Sequence, residues 1–227
     1  MTGVLAVVRK DLLSELRGKE GINASVSFAL VILLIFSFAF EPTDTDVRKL
    51  SGGLLWIAFA FAGALLLNRS FAREIPNDCL DALVSSPIRG WELFLGKALA
   101  SFLLLLGVEL LCLPVYGIFY NVRWAKVFWP LMLVLVLGTW GLTVLGVSFS
   151  ALTVNLRLRE LMLPLLLYPA LSPALMSAMI LTTALLGGEA IFGATAGINT
   201  AWLRMLTGFD IIFTALSVAL IEYVLVL

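Results

Sequence analysis

The stretch Arg69–Trp91, RSFAREIPNDCLDALVSSPIRGW, decides how this chain folds. It is the longest charged interlude between two apolar runs, Ser51–Leu67 and Phe94–Phe119. Those runs are long enough to cross a bilayer, while the interlude cannot stay in lipid. Pro76 suits the first turn of a helix, where its missing N–H costs little. Asn77, Asp78 and Asp81 bring oxygen acceptors and negative charge to that positive end. Leu80, Leu83 and Val84 follow at i, i+3 and i+4 and form one apolar stripe. Pro87 ends the pattern after Ser86. The spacing predicts an amphipathic helix of about three turns over residues 76–86, lying on the membrane surface between two spans. Either it only anchors a loop among the headgroups, or its apolar stripe docks on a partner.

Composition agrees with a chain that lives in lipid. Apolar residues make up 61% and charged residues 13%, with a mean hydropathy of +1.06. A soluble domain has about 45–50% and about 25%. The formal net charge is zero, so bulk charge points to no nucleic-acid partner. No polar loop approaches the roughly 40–50 residues of a minimal soluble domain, so residues 1–227 read as one membrane domain. Cys79 lies in the polar helix and Cys112 in an apolar run; at different depths they form no disulfide. There is no histidine, which removes the commonest haem ligand, zinc ligand and general base. Val4–Val8 is too short for a cleavable signal, and Arg9–Lys10 follow it instead of preceding it.

In chain order, Leu5, Val8, Leu12 and Leu16 recur at helical spacing among Arg9, Lys10, Glu15, Arg17 and Lys19, predicting an interfacial helix over 4–20. Spans follow at about residues 23–40, 51–67, 94–119, 127–154, 161–186 and 207–227. Gly187–Met205 reads as a mixed loop. Six spans put both termini on one side. With the N-terminus cytoplasmic, the inside carries ten cationic residues (Arg9, Lys10, Arg17, Lys19, Arg69, Arg73, Arg89, Lys97, Arg157 and Arg159). The outside carries five: Arg48, Lys49, Arg123, Lys126 and Arg204. The positive-inside rule supports that orientation.

Inside the spans, Glu109 stands out, because a carboxyl facing lipid costs at least about 2.5–3.5 kcal/mol. It is either a pathway or switch residue or a carboxyl hydrogen-bonded at a helix contact. Glu222 can reach the interface, and Lys97 can snorkel to the cytoplasmic surface. Pro164, Pro169 and Pro173 each remove a backbone donor from the fifth span, predicting a broken or kinked helix at Tyr168–Pro173. Gly138, Gly141 and Gly146 let another helix approach the fourth span. No enzyme constellation is present. Gly90 and Gly96-Lys97 fail as a phosphate loop, since the glycines are separated by one residue too many and Ala98 stands where Ser or Thr would bind magnesium. A Ser–His–Asp triad is impossible.

The string Arg73-Glu74-Ile75-Pro76-Asn77-Asp78-Cys79-Leu80-Asp81-Ala82-Leu83-Val84-Ser85-Ser86-Pro87-Ile88, followed by LFLGKALAS, resembles the cytoplasmic coupling segment of type-2 ABC exporter permeases. The likeness narrows further along the chain. VVRKDLLSELRGKEGINASVSFALVILLIFSFAF and SGGLLWIAFAFAGALLLNRSFARE resemble the first two spans of the haem exporter protein B family, the permease of cytochrome c maturation. Leu137-Gly138-Thr139, the ALTVNLRLRE turn and the Pro169/Pro173 pair also fit. Asp78-Cys79 depart from the small residue that the family commonly places before the coupling-helix leucine.

The resemblance implies an all-α integral membrane protein of the ABC-2 (type V) exporter permease fold. It would have six transmembrane helices, an N-terminal interfacial helix and a coupling helix, set in the cell inner membrane. Arg73, Glu74, Asp78, Leu80, Asp81, Leu83 and Val84 would engage a separate cytoplasmic ABC ATPase that binds the ATP; this subunit would hold no catalytic residue, metal or cofactor. Glu109, Pro169 and Pro173 are the pathway or switch candidates. Further partners implied are a second copy of the permease, a haem-handling membrane subunit and a small single-span subunit. The complex would deliver haem, or release a haem-loaded chaperone, at the outer face. Met176, Met179 and Met205 could ligate haem iron, although methionine is more common as packing. Rival readings are an ABC-2 exporter of a lipid, glycan or drug, a membrane scaffold without a transport cycle, and an intramembrane enzyme built on Glu109.

Overall fold

Long apolar runs in lipid must satisfy their own backbone groups, and a helix does so within one segment. The computed structural model describes residues 2–39, 45–72, 89–153, 159–193 and 196–226, and every regular element among them is helical. These are α1 (Thr2–Gly18), α2 (Glu20–Ala39), α3 (Thr45–Leu67), α4 (Arg69–Ala72), α5 (Gly90–Phe119), a 3₁₀ turn (Trp124–Val127), α6 (Phe128–Thr153), α7 (Arg159–Leu186) and α8 (Asn199–Val226). Six helices are long and apolar enough to cross a membrane. The chain is a multi-pass, all-helical membrane protein.

Lys19 separates α1 from α2. Its φ of 57° lies in the left-handed region, which breaks the helix for one residue and turns the chain into the first span. The core sits on α3 and α6. Along its most apolar 18-residue stretch the second span is 72% buried and the fourth 67%, against 17% for the first and 28% for the sixth. The outer spans therefore show their apolar sides, such as Ile35 and Phe38 on α2 and Ile211 and Ile212 on α8, to the lipid.

Small residues set how closely the two central helices meet. A β-carbon at Gly138 of α6 would run into the six-membered ring of Trp56 on α3, and one at Gly146 would run into Leu67. Trp56 is fully buried and donates its indole N–H to Thr182 Oγ1 of α7 at 2.9 Å. Ser25 Oγ of α2 donates to the Ala62 carbonyl of α3 at 2.9 Å, and Tyr120 OH donates to the Leu33 carbonyl at 3.1 Å. Each bond ties a peripheral span to the core through a group that would otherwise be unpaired in lipid.

Three expectations need correction. The sixth helix starts at Asn199, not Thr207. Asn199 anchors the start by donating Nδ2 to Glu189 Oε2 and to the Ala190 carbonyl, both at 3.1 Å, and Arg204 is tolerated because it points outward. Of the broken or kinked helix expected at Tyr168–Pro173, the break does not occur, since α7 runs as one helix through Pro164, Pro169 and Pro173. Pro173 has no N–H for the Pro169 carbonyl four residues back, and Ser172 Oγ supplies a donor there at 2.9 Å. Finally, the third span begins at Gly90, which places Lys97 two turns inside a helix. It does not snorkel to water.

The tight α3–α6 contact yields a first test. Gly138→Ala should lower stability by about 1–3 kcal/mol, read as a drop in the unfolding midpoint in detergent. Trp56→Phe deletes the ring carbons that the new methyl would meet, so Gly138→Ala should cost little when added to Trp56→Phe.

Candidate functional site

The helix predicted over 76–86, with Arg73, Glu74, Asp78, Leu80, Asp81, Leu83 and Val84, lies outside the described residues. Its two flanks are described, and one buried cation joins them. Lys97 is 1% exposed. Its Nζ donates to the Ser70 carbonyl of α4 at 2.8 Å and to Asp11 Oδ2 of α1 at 3.3 Å, and stands 4.7 Å from the centre of the Phe71 ring. An ammonium withdrawn from water is stabilised only by such partners together: a carboxylate, a carbonyl and an aromatic face. Lys97 therefore fixes three chain segments relative to one another: the N-terminal helix, the end of the second span and the start of the third.

α1 is built for that role. Gly3, Val7 and Asp11, spaced four apart, share one face. Gly3 meets the Glu92 carboxylate, Val7 meets Gly96, and Asp11 meets Lys97. A β-carbon at Gly96 would come within 2.7 Å of Val7 Cβ, so the two helices lie in direct contact. Glu92 also accepts from the Arg89 N–H at 3.3 Å, closing the first turn of α5. Glu15, on the same face as Asp11, is buried and accepts from the Ile22 N–H at 3.0 Å, which sets the angle between α1 and α2. The apolar positions Leu5 and Leu16 of the expected stripe are exposed. The helix thus grips the bundle with Val7, Asp11 and Glu15 and offers its leucines to the surroundings. Arg69 pairs with Glu20 at 3.0 Å, but this bridge is exposed and worth little.

Deeper in the bundle, Glu109 of α5 is fully buried. Thr139 Oγ1 of α6 lies 2.7 Å from Oε1 and 2.6 Å from Oε2. Of the two readings of Glu109, the helix contact is thus on view. Pro169 is exposed on α7, so the fold does not gather it with Glu109 into one site.

A second intramembrane carboxyl escaped the sequence reading. Asp210 of α8 is 6% exposed, and neither oxygen has a hydrogen-bond partner among the described residues. It fits only because position 141 is glycine, where a β-carbon would stand 2.6 Å from Oδ1. The signal is in the sequence: Asp210 interrupts an apolar run just as Glu109 does, but in a span placed at 207–227 it falls within the first turn. Around it, Trp140 Nε1 donates to Thr214 Oγ1 at 3.0 Å and Ser148 Oγ donates to Ser217 Oγ at 2.8 Å, so polar groups line the α6–α8 seam. Among the described residues no group of three or more Cys, Asp or Glu could hold a metal. Met176 and Met205 are exposed, and Met179 is partly buried against the core.

Comparison with known proteins places this geometry. The family model described as CcmB protein matches residues 2–223. A heme exporter protein B from Rhodobacter capsulatus is 29% identical over 219 residues, covering 96% of this chain and 94% of that one. One from Pseudomonas aeruginosa is 31% identical, covering 95% and 93%. One from Paracoccus denitrificans is 30% identical over 193 residues, covering 85% and 84%.

The Lys97 tie predicts a thermodynamic cycle. Asp11→Ala leaves the ammonium without that counter-charge and should cost about 1–3 kcal/mol. Lys97→Met removes the charge that Asp11 serves, so adding Asp11→Ala to Lys97→Met should cost under about 0.5 kcal/mol. The unfolding midpoints of the four proteins in detergent measure the coupling.

Proposed function

This chain belongs to the CcmB protein family, and on that premise we propose that it is the membrane permease of an ATP-driven complex that handles haem in cytochrome c maturation. The relatives at about 30% identity carry the name heme exporter protein B, which supports the cargo. The catalytic ATP site belongs in this reading to a separate cytoplasmic ABC ATPase, and the present chain does no chemistry of its own. Residues 1–227 act as one unit, set in the inner membrane with both termini cytoplasmic.

The observation that carries the mechanism is the buried Lys97 tie. It holds the two helix ends from which residues 73–88 depart. A force applied to that segment would reach α1, α3 and α5 together instead of being lost in a slack loop. Leu80, Leu83 and Val84 would pack into a groove on the ATPase, while Arg73, Glu74, Asp78 and Asp81 set register by charge. Closure of the ATPase would tilt the segment and shift the second and third spans between two packings. Six spans make half of such a transporter, so a second copy would complete it. The haem-handling membrane subunit and the small single-span subunit complete the complex. In the moving bundle Glu109 is the switch group, exchanging Thr139 for another partner. Pro169 and Pro173 mark the part of the fifth span with fewest backbone bonds, where bending is cheapest.

Leu80→Asp with Leu83→Asp should abolish co-purification of the ATPase from solubilised membranes and stop cytochrome c assembly, with the permease still inserted at its normal level. Retained association would remove the coupling reading. Glu109→Gln keeps a hydrogen-bonding side chain for Thr139, so it should insert normally and reduce cytochrome c assembly at least tenfold.

A further inference from the structure

Asp210 is the least satisfied polar group in the described bundle. Its carboxyl is 6% exposed, and neither oxygen is bonded by a described residue. A carboxyl at this depth costs about 2.5–3.5 kcal/mol if left unpaired, and the glycine at position 141 shows that room has been kept for it. A donor stands close by on the same seam. Trp140 Nε1 donates to Thr214 Oγ1. Thr214 is four residues after Asp210, so the two share one face of α8, a single turn apart.

The register of the seam gives the geometry of an exchange. Gly141 faces Asp210 and Ser148 bonds Ser217, the same offset of 69 residues, so α6 and α8 run parallel along this contact. A step of α8 by one turn, about 5.4 Å, toward its C-terminal end carries Asp210 into the place of Thr214. We propose that α8 has two registers against α6, and that Trp140 is the shared donor: its indole N–H bonds Thr214 in the register seen here and Asp210 in the stepped one. Indole has one donor and no acceptor, so it serves one partner at a time. A carboxylate is the stronger acceptor. The stepped register therefore regains hydrogen bonding at Asp210, while it breaks the Ser148–Ser217 bond and brings Phe213 opposite Ser148. The two arrangements exchange one set of polar contacts for another, as a bistable element must. The inference concerns this chain's own helices and does not depend on the ATPase reading.

Disulfide trapping in native membranes tests it, with Cys79→Ser and Cys112→Ala in the background so that only introduced thiols react. Ser148→Cys with Ser217→Cys reports the present register; Ser148→Cys with Phe213→Cys reports the stepped one. Bridged peptides are quantified by mass spectrometry after oxidation, with and without added nucleotide. Both bridges should form. Asp210→Ala and, separately, Trp140→Phe should reduce the 148–213 bridge at least fivefold and spare the 148–217 bridge, whereas Asp210→Asn, which keeps an acceptor, should retain it. Absence of the 148–213 bridge in both conditions overturns the proposal, as does its equal yield in Asp210→Ala. Absence of the 148–217 bridge overturns the register on which it rests.

Discussion

A buried ammonium organises the end of this molecule where the chain leaves the membrane between its second and third spans. Lys97 sits two turns inside the third span, withdrawn from water, and is held by Asp11, the Ser70 carbonyl and the Phe71 ring. None of these partners suffices by itself, because the desolvation of a cation exceeds what one contact returns. Their combination makes α1, α4 and the start of α5 a single body. The rest of the architecture follows from that. α1 must lie against α5, hence glycine at position 96. Glu15 must fix the α1–α2 corner, and the left-handed Lys19 turns the chain there.

The same economy explains the middle of the bundle. Van der Waals contact, not hydrophobic exclusion, brings helices together in lipid. α3 and α6 therefore meet where one offers a large ring and the other no side chain at all, Trp56 on Gly138. Among the described residues, several polar side chains pair across a seam, Trp56 with Thr182, Thr139 with Glu109, Trp140 with Thr214 and Ser148 with Ser217. Asp210 is the carboxyl among the described buried groups with neither oxygen bonded, which is why it carries more information than the pairs.

The spans were legible in the sequence because the physics that makes them is local. A run of about 20 apolar residues has to be a helix in lipid. Where side chains outside the apolar run decide the outcome, the reading slipped. Asn199 starts the last helix by bonding Glu189 and Ala190, partners that no hydropathy pattern marks. The fifth span continues through three prolines, and at Pro173 Ser172 covers the carbonyl that the ring leaves unbonded, a repair visible only once the helix is built. Lys97 looked free to snorkel because nothing in the spacing says that residues 11 and 70 come to meet it. Glu109 was found by its charge alone, but its partner Thr139 is thirty residues away. The amphipathic character of α1 was legible, yet which face packs was not: Val7, Asp11 and Glu15 turn inward and Leu5 and Leu16 outward.

That division of faces has a mechanical consequence. A helix that held the bundle by its leucines and put its charges in water would be an anchor, free to slide because apolar contacts are non-directional. Here the grip is a carboxylate on an ammonium, a second carboxylate on a backbone N–H, and a valine against a glycine. Those contacts have a register and a direction, so α1 cannot slip against α5 without losing the Asp11–Lys97 and Val7–Gly96 contacts. The exposed leucines then leave the outward face to the membrane surface, where apolar side chains on an interfacial helix bury into the headgroup region. One face answers to the lipid and the other to the third span. The Lys97 tie thus joins the last turn before residue 73 and the first turns after residue 88 to α1, and any displacement of those two chain ends acts on α1, α4 and α5 together.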